Sequence, residues 1–416
     1  MPHKSVLVTG IGIISPAGCG ADATWSSLLA GCRAVGRFEP GADSSHKPWP
    51  AARVPGFAPH DPAAPGSVDR VCRFALAATQ EALNNAGKPS LAGPRTRVSL
   101  GTSKGGVLSF AAWADAWAAG DRRLPNPWAD LLPDAPARYV AQQLGITGGV
   151  HTTVAACATG SLAVIRAAQW IADGQADLVI CGSSDACLHP LWFAAFERMG
   201  VLAEEHVTRG AGYSCRPFDE ARTGFALGEG AAALILESEA HARKRNAQPL
   251  ATLAAWATGT DPAGLTAMDP AGESLRHVLA LACDRAGVGP EDIACIHAHG
   301  TGTRENDRIE GRAIRGFLNA TAPRVPVVSI KGAMGHLLGA AGSVELAVVF
   351  ELAKPAEARA TPHFCNAIPS SRVSACHAKA STCGRGPSSN CPWASAVTWP
   401  PSSYRPCGNP GQGNPS

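Results

Sequence analysis

Strand-like and helix-like segments alternate along most of this chain, and this alternation limits its fold more than any other feature. Apolar runs such as VLVTGIGI and ADLVICGSSDA are typical of buried strands. Between them lie amphipathic runs such as SVDRVCRFALAATQEALNN, which Gly87 follows. The rhythm begins again after about residue 249. The pattern predicts an α/β fold in which helices cover a buried sheet.

The size and charge of the chain exclude several classes of protein. Its 416 residues exceed one ordinary domain, so two domains or one large two-part core are expected. The formal net charge is only +3, and no basic stripe with interleaved aromatic residues argues for a nucleic-acid partner. Glycine and proline break the N-terminal apolar run early, which predicts neither a signal peptide nor a membrane span.

Cysteine use predicts a reducing compartment. Nine of the 14 cysteines are scattered up to Cys295 without a C-x-x-C pair, as expected for free thiols in a cytoplasmic protein. The other five crowd into the C-terminal tail. Taken singly, a cysteine of this kind is usually a small buried hydrophobic side chain.

Cys157 differs from the other cysteines in its setting. It lies between a β-branched run that ends at Val154 and a helical pattern that begins at Ser161, among residues too small to shield it. Unpaired N–H groups at a helix N-terminus favour thiolate over thiol, and one of them can bind an oxyanion. This is the layout of a nucleophile elbow, so Cys157 is the candidate nucleophile.

Two histidines are candidate partners for that sulfur. His299 ends a strand in IHAHGTGT, and His336 lies in the glycine-rich turn of SIKGAMGHLLGAAG, five residues after Lys331. A zinc site made of His297, His299 and His336 is an alternative, although no carboxylate is placed to orient such ligands. A purely structural role for each histidine also stays open.

Three blocks of the sequence resemble the active-site blocks of the elongating β-ketoacyl-acyl-carrier-protein synthases, in the thiolase superfamily. They are ACATGS, HAHGTGTRENDRIE and KGAMGHLLGAAGSVE, in the family's order. The blocks VLVTGIGIISPAG and RPFDEARTGFALGEGAAALILE agree with this resemblance, which covers about residues 4 to 353.

The resemblance implies a duplicated five-layer αβαβα thiolase-like fold, and a homodimer or a heterodimer with a paralogue. Residues 1–249 would form an N-terminal half that carries Cys157, and residues 250–354 a C-terminal half that carries both histidines. Cys157 would take the acyl chain from a carrier-protein thioester. His299 and His336 would bind the malonyl thioester carbonyl and stabilise the enolate formed as carbon dioxide leaves. The implied function is a decarboxylating condensation in fatty-acid or polyketide synthesis.

Further site residues follow from the same resemblance. Lys331 is implied as a catalytic residue, since its ammonium disfavours imidazolium and keeps the histidines neutral. Thr301 and Thr303 match positions that hydrogen-bond the phosphopantetheine arm of acyl carrier protein, and Phe225 lies in a block that lines the acyl pocket. No metal or redox cofactor is implied, because the thioester and the departing carboxylate supply the driving force.

Other members of the superfamily fit less well. A degradative thiolase places a second cysteine in a Cys-x-Gly turn, which PCGNPGQG matches only superficially. Starter-condensing synthases use Cys-His-Asn, whereas the third position here is His336, and chain-length-factor subunits lack the cysteine. A non-catalytic partner subunit or an inactive truncated remnant of the family stays open. Gly332 departs from the serine or threonine that usually follows the family's lysine.

The tail, residues 355–416, has no strand or helix pattern and is rich in serine, proline and cysteine. The family should end in a strand pair around a GFGG loop, so the C-terminal strands are predicted to be missing or disordered. We hypothesise that a frameshift produced this tail. In a shifted frame, each new codon takes the last base of one original codon and the first two bases of the next. Read in this way, DNA that encodes PWASAVTWPPSSY can encode LGFGGHVAAVVL, which contains the expected GFGG loop. The alternative is an ordinary divergent tail. We expect low stability and low activity for the chain as written.

Overall fold

Strands and helices alternate along the chain, as the sequence predicts. The computed structural model describes residues 5–39, 47–57, 68–121, 131–264, 267–353 and 397–398. The strands are β1 (Val6–Ser15), β2 (Gly18–Cys19), β3 (Gly36–Phe38), β4 (Trp49–Ala52), β5 (Thr96–Gly101), β6 (Val150–His151), β7 (Leu178–Asp185), β8 (Leu227–Gly228), β9 (Gly230–Ser238), β10 (Ala251–Leu253), β11 (Ala255–Trp256), β12 (Ile296–His297), β13 (Val327–Val328) and β14 (Val397–Thr398). The helices are α1 (Ala21–Leu29), α2 (Arg70–Asn85), α3 (Val107–Ala118), α4 (Ala135–Gln143), α5 (Thr159–Ala172), α6 (Pro190–Arg198), α7 (Glu239–Lys244), α8 (Glu273–Ala286), α9 (Arg304–Leu318), α10 (Lys331–Met334) and α11 (Ala341–Ala353).

A seven-stranded mixed sheet forms the framework of the N-terminal part. Its strand order is β10-β1-β9-β7-β5-β6, and β2 pairs with β1. The β5–β7 and β5–β6 pairs are parallel, whereas β9 is antiparallel to both of its neighbours. Every residue of β1, β7 and β9 is buried, which explains why these strands are continuously apolar in sequence.

Helices cover both faces of this sheet. On one face, α2 packs Phe74 and Ala78 against Ile180 and Ile235. On the other face, α5 and α11 share one core with β1, β7 and β9. The helix α2 begins where the Asp69 side chain accepts a hydrogen bond from the Val71 N–H at 3.0 Å, which satisfies one of its free amides.

The C-terminal part adds the remaining layers. The strands β12 and β13 pair in parallel, and the core around α5 and α11 includes Val328 of β13. On the far side, Ile296 of β12 packs against α8 and α9 through Leu279 and Ile314. The order is therefore helix, sheet, helices, sheet, helices. This is the five-layer αβαβα arrangement that the resemblance implies.

Two details differ from the sequence-based expectation. The run LATLAAWATG is not one strand, because its first half forms β10, which pairs with β1, and its second half forms β11. The tail was expected to contain no strand, but β14 pairs antiparallel with β11, with Thr398 opposite Ala255. The other predictions for residues 355–416 fall outside the described residues. In the described segments, no helix has both the length and the apolar character that a membrane crossing requires.

Candidate active site

Cys157 lies in a single 3₁₀ turn, Ala156–Ala158, that leads directly into α5. Ala156 adopts φ 45°, a left-handed conformation that is unfavourable for a residue with a Cβ atom. Thr159 holds this turn, because its Oγ1 accepts from the Ala155 N–H at 2.8 Å and donates to the Ala156 carbonyl at 2.7 Å. The sharp strand-to-helix turn expected for a nucleophile is present.

A glycine brings α5 close to the histidine-bearing turn. A Cβ atom on Gly160 would lie 2.5 Å from the Ser343 backbone nitrogen and 2.5 Å from Ser183 Oγ. The hydroxyls of Ser183 and Ser343 are hydrogen-bonded to each other at 2.6 Å. Only a residue without a side chain allows β7, α5 and α11 to meet at this distance.

His336 is buried next to the sulfur. Its Nε2 lies 3.1 Å from Cys157 Sγ, and the Leu338 N–H donates to its Nδ1 at 3.1 Å. The backbone of His336 is fixed against the strand region that contains Ala226 and Gly228. Because Nδ1 accepts a hydrogen bond, the proton of the neutral ring is on Nε2 and points towards the sulfur.

His299 faces the same point from a different element. Its backbone N–H donates to Glu310 at 2.6 Å, and its ring lies edge-on to that of His336, with 5.3 Å between the centroids. The Lys331 ammonium lies 3.4 Å from His299 Nδ1. An ammonium can only donate, so His299 also carries its proton on Nε2. Ligating atoms of Cys157 and the two histidines all lie within 4.8 Å of one another.

Burial and charge keep both imidazoles neutral. Removal from water is the main cause that holds the pKa of His299 and that of His336 well below the usual value, and the Lys331 ammonium lowers both pKa values further. The His297 ring also lowers the pKa of His299, and the His299 ring that of His336, since neighbouring imidazoliums would repel. The expectation that Lys331 disfavours imidazolium therefore has a direct physical basis in the structure.

The thiolate expected at the helix N-terminus is not favoured at rest. Burial raises the pKa of the Cys157 thiol, and the charges of Lys331 and Lys104 oppose this only in part. The expectation considered the helix-end charge alone, whereas burial, which raises the pKa, also acts on this half-buried side chain. The Nε2–H of His336 stabilises the thiolate once it forms.

Lys331 is held by a buried carboxylate that sequence reasoning missed. Its ammonium is ion-paired with Glu345 of α11 and donates to the His299 carbonyl at 2.6 Å. Burial raises the pKa of Glu345, and the attraction of Lys331 opposes that rise. With His299 Nδ1 as a third acceptor, Lys331 is fully satisfied although Gly332 lacks the expected hydroxyl. Glu345 lies within the block GAAGSVE and could have been inferred as a counterion.

The three-histidine zinc site is not formed. In the described part of the chain, the only group of metal-type ligands is Cys157, His299 and His336, which excludes His297. His297 is buried behind the site, with its Nδ1 4.0 Å from a Glu345 oxygen. Because β12 ends at His297, His299 lies beyond the strand, and the alternation of side chains along a strand does not apply to the pair.

The tautomers also argue against a metal at the remaining cluster. A histidine that binds a metal through Nε2 normally donates its Nδ1–H to a carboxylate or carbonyl. Here the Nδ1 atoms face donors, the Leu338 N–H and the Lys331 ammonium. The two rings therefore present N–H groups, which suit a carbonyl or enolate oxygen, rather than lone pairs, which suit a cation.

The residues expected to bind substrate lie around this cluster. Thr301 and Thr303 follow His299 in the loop before α9, and their hydroxyls are 2.9 Å apart. The Asp307 carboxylate shapes this loop by accepting from the Gly302 N–H at 3.1 Å. Phe225 packs its ring edge-on against the His336 ring, with 5.0 Å between the centroids.

Asp185 was not singled out from the sequence, yet it connects three parts of the site. This fully buried carboxylate at the end of β7 accepts hydrogen bonds from the Thr102 hydroxyl at 2.6 Å, the Ser103 hydroxyl at 2.5 Å and the Gly339 N–H at 2.6 Å. Four donors to one buried carboxylate, counting the Ser103 N–H, fix the ends of β5 and β7 against the His336 turn.

A thiol beside two neutral imidazoles, at a strand-to-helix turn of a five-layer α/β fold, defines a condensing acyltransferase. Family models for the β-ketoacyl synthase N-terminal and C-terminal domains match residues 3–242 and 250–364. The chain belongs to the β-ketoacyl synthase family.

Curated relatives come from both branches of this family. The chain is 34% identical over 365 residues to the tetracenomycin polyketide synthase ketoacyl synthase alpha subunit of Streptomyces glaucescens, and the match covers 83% of this chain and 84% of that protein. It is 36% identical over 275 residues to 3-oxoacyl-[acyl-carrier-protein] synthase 2 of Mycobacterium tuberculosis, with 66% and 65% covered.

Solved structures share the fold. A β-ketoacyl synthase from Burkholderia phymatum is 30% identical, with a TM-score of 0.74 and coverage of 84% of this chain and 86% of that one. A complex of a type II polyketide acyl-carrier protein with its ketosynthase, bound to the hexaketide, is 25% identical, with a TM-score of 0.75 and coverage of 96% and 94%.

Proposed function

We propose that this protein condenses an acyl thioester with malonyl-acyl-carrier protein, with loss of carbon dioxide, to give 3-oxoacyl-acyl-carrier protein for fatty-acid or polyketide synthesis. One observation carries the proposal. Cys157 Sγ and one ring nitrogen of each of His299 and His336 lie within 4.8 Å of one another, and for His336 the nitrogen next to the sulfur is Nε2, which carries the proton. Two fixed donors beside one nucleophile suit an oxygen that gains negative charge next to a newly formed acyl-sulfur bond.

The first step is transfer of the acyl chain to Cys157. The bond from Sγ to the acyl carbon forms, the carrier's carbon–sulfur bond breaks, and the thiol proton leaves with the carrier thiol. Because burial raises the pKa of Cys157, the thiolate is a minor species that the Nε2–H of His336 stabilises as it forms. The acyl chain then extends past Phe225, whose ring borders His336.

The second step uses the vacated space for the malonyl group. The two Nε2–H donors bind its thioester carbonyl, and the carbon–carbon bond to the carboxylate breaks as carbon dioxide leaves. The resulting enolate carbon attacks the acyl carbon on Cys157. The sulfur leaves as thiolate and regains a proton from solvent. The electrons balance without a metal or redox cofactor, and we propose that none takes part.

The partners follow from the same chemistry. Acyl carrier protein would present its phosphopantetheine arm to the loop of Thr301 and Thr303, and the carrier-bound ketosynthase among the similar structures supports this. The edge strand β6 leaves Val150 44% exposed and the following Val154 55% exposed. This apolar edge supports pairing with a second copy or a paralogue. The nine free cysteines of the described segments fit the cytoplasm.

Mass spectrometry tests the function directly. The full chain, and a frame-corrected chain in parallel, are incubated with hexanoyl-acyl carrier protein and then with malonyl-acyl carrier protein. We expect a hexanoyl adduct on Cys157, followed by 3-oxooctanoyl-acyl carrier protein, and neither with Cys157→Ala. A chain that takes no acyl group in either form, yet binds a separate active ketosynthase, would instead be a non-catalytic partner subunit.

A further inference from the structure

A single ammonium group, on Lys104, lies where the acyl chain is expected to extend. Lys104 is half-buried in the turn after β5, and its Nζ lies 5.2 Å from the Trp192 ring centroid and 6.0 Å from that of Phe196. The Phe196 and Phe225 ring centroids are 5.7 Å apart, and the Phe225 and His336 ring centroids are 5.0 Å apart. A continuous row of aromatic rings therefore leads from the catalytic histidine to this cation.

The position of Lys104 is fixed by the network around Asp185. The Ser103 hydroxyl donates to the Asp185 carboxylate at 2.5 Å, which leaves its oxygen free to accept from Lys104 Nζ at 3.1 Å. The ammonium is thus oriented indirectly by a buried carboxylate. Asp185 does not form a direct ion pair with it, since that carboxylate already accepts from four protein donors.

The ammonium of Lys104 retains donor capacity. It has three protons. Across the segments that the structure describes, its one hydrogen-bond acceptor is the Ser103 hydroxyl, and no carboxylate lies within ion-pair distance. The same charge lowers the pKa of the Cys157 thiol and that of the His336 imidazole, so it acts within electrostatic range of the reacting groups. A cation with unused donors beside apolar rings is suited to an oxygen acceptor on the substrate.

We propose that Lys104 is a specificity-determining residue that binds an oxygen-bearing acyl chain, one with a carboxylate or keto oxygen distant from the thioester, in preference to a plain alkyl chain. This inference rests on the proposed acyl transfer to Cys157. An alkyl chain that reached Lys104 would displace water from the ammonium without providing a hydrogen-bond acceptor to replace it. A keto or carboxylate oxygen would replace that water with a charge-assisted hydrogen bond.

The test compares acyl donors of equal length on the full chain. N-acetylcysteamine thioesters of hexanoate, 5-oxohexanoate and adipate, and the matching eight-carbon set, are each given to the protein, and the rate of adduct formation on Cys157 is measured by intact-protein mass spectrometry. We expect the oxygenated donors to react about tenfold faster than the alkyl donor. The comparison of the keto and dicarboxylic donors shows to which oxygen Lys104 donates more favourably.

The variant Lys104→Met removes the charge and keeps the length of the side chain. We expect it to reverse the preference, with slower transfer from oxygenated donors and faster transfer from hexanoate. Lys244→Met, on the exposed helix α7, is the matched control and should leave every ratio unchanged. The ratio between donors within one variant cancels any change in the folded fraction or in the reactivity of the thiol.

The possible outcomes distinguish a failure of the Lys104 specificity role from a failure of the proposed acyl transfer to Cys157. Equal donor ratios in the wild type and Lys104→Met, or a loss of all donors by the same factor, would overturn the specificity role while leaving acyl transfer intact. Failure of every donor to modify Cys157 in the wild-type chain would overturn both.

Discussion

The Leu338 backbone N–H donates to Nδ1 of His336 at 3.1 Å, and this one hydrogen bond determines which nitrogen of the ring carries the proton. The same ring reaches Cys157 Sγ with Nε2. A histidine fixed in this way is a hydrogen-bond donor rather than a base, so its role is to stabilise negative charge on sulfur or oxygen.

Replacing His336 by alanine removes one of the two donors at the enolate oxygen. We expect malonyl decarboxylation to slow by about 10²–10³-fold, the usual effect of losing one such donor. His336→Asn should regain part of the rate because its amide N–H can donate, whereas His336→Glu should not, since an ionised carboxylate only accepts. Release of labelled carbon dioxide from malonyl-acyl carrier protein measures this. Equal rates for the asparagine and glutamate variants would contradict the donor role.

The reactivity of Cys157 should rise with pH well into the alkaline range. Burial raises the pKa of this thiol, so the thiolate fraction is small at neutral pH and increases as the pH approaches the raised pKa. Alkylation of Cys157 by iodoacetamide, followed by peptide mass spectrometry between pH 6 and 10, should show no plateau below about pH 9. The exposed Cys32 provides an internal comparison. A plateau near neutrality would instead support a thiolate held by the helix N-terminus.

Removing the charge of Lys331 should make the reaction sensitive to acid. Lys331 lowers the pKa values of His299 and His336, so Lys331→Met lets both rise towards the ordinary histidine value. The neutral donors persist only above those pKa values. We therefore expect the acid limb of the decarboxylation profile to move to higher pH, while the wild type stays flat down to about pH 6.

The expected loss in Lys331→Met at pH 8 is smaller than the loss at pH 6. This difference distinguishes a role in protonation from simple misfolding, which would lower the rate equally at both values. Glu345 takes up a proton more easily without its partner, because burial already raises its pKa. A profile with an unchanged acid limb would show that burial alone keeps the imidazoles neutral.

A buried ion pair should contribute strongly to the stability of the N-terminal part. Arg70 and Glu229 are each 2% exposed and form two hydrogen bonds, at 2.7 and 3.0 Å. Arg70→Met leaves Glu229 unpaired, and we expect the free energy of unfolding to fall by about 3–5 kcal/mol. Urea denaturation measures it. The exposed pair Arg243–Glu239 provides the control, since Arg243→Met should cost less than about 1 kcal/mol.

The tail can be tested at the level of the gene. The family match stops at residue 364, and the reading frame proposed for residues 392–404 permits LGFGGHVAAVVL. We expect resequencing to show a single-base insertion or deletion between codons 354 and 392, and the corrected protein to be more stable and more active. An uninterrupted frame would refute the frameshift. The family match up to residue 364 places the shift after about that residue.

The sequence was sufficient to predict the site residues whose roles can be inferred from their immediate neighbours along the chain. Cys157 and His336 stand out because small residues and glycines surround them, and the structure brings both to one point. Sequence reasoning missed Asp185 because the donors that define its role lie about 80 residues or more away along the chain. It also left out the burial that raises the pKa of Cys157, since burial of a side chain is a property of the packed structure rather than of its neighbours in sequence.

Ala156 and Leu338 both have left-handed backbones, with φ 45° and 51°, and they adjoin the reactive sulfur and imidazole respectively. Residues with a Cβ atom relax out of this region unless neighbouring contacts restrain them. Warming should therefore release these two turns before the large sheet melts. Activity would then be lost at a lower temperature than the one at which the surrounding sheet unfolds.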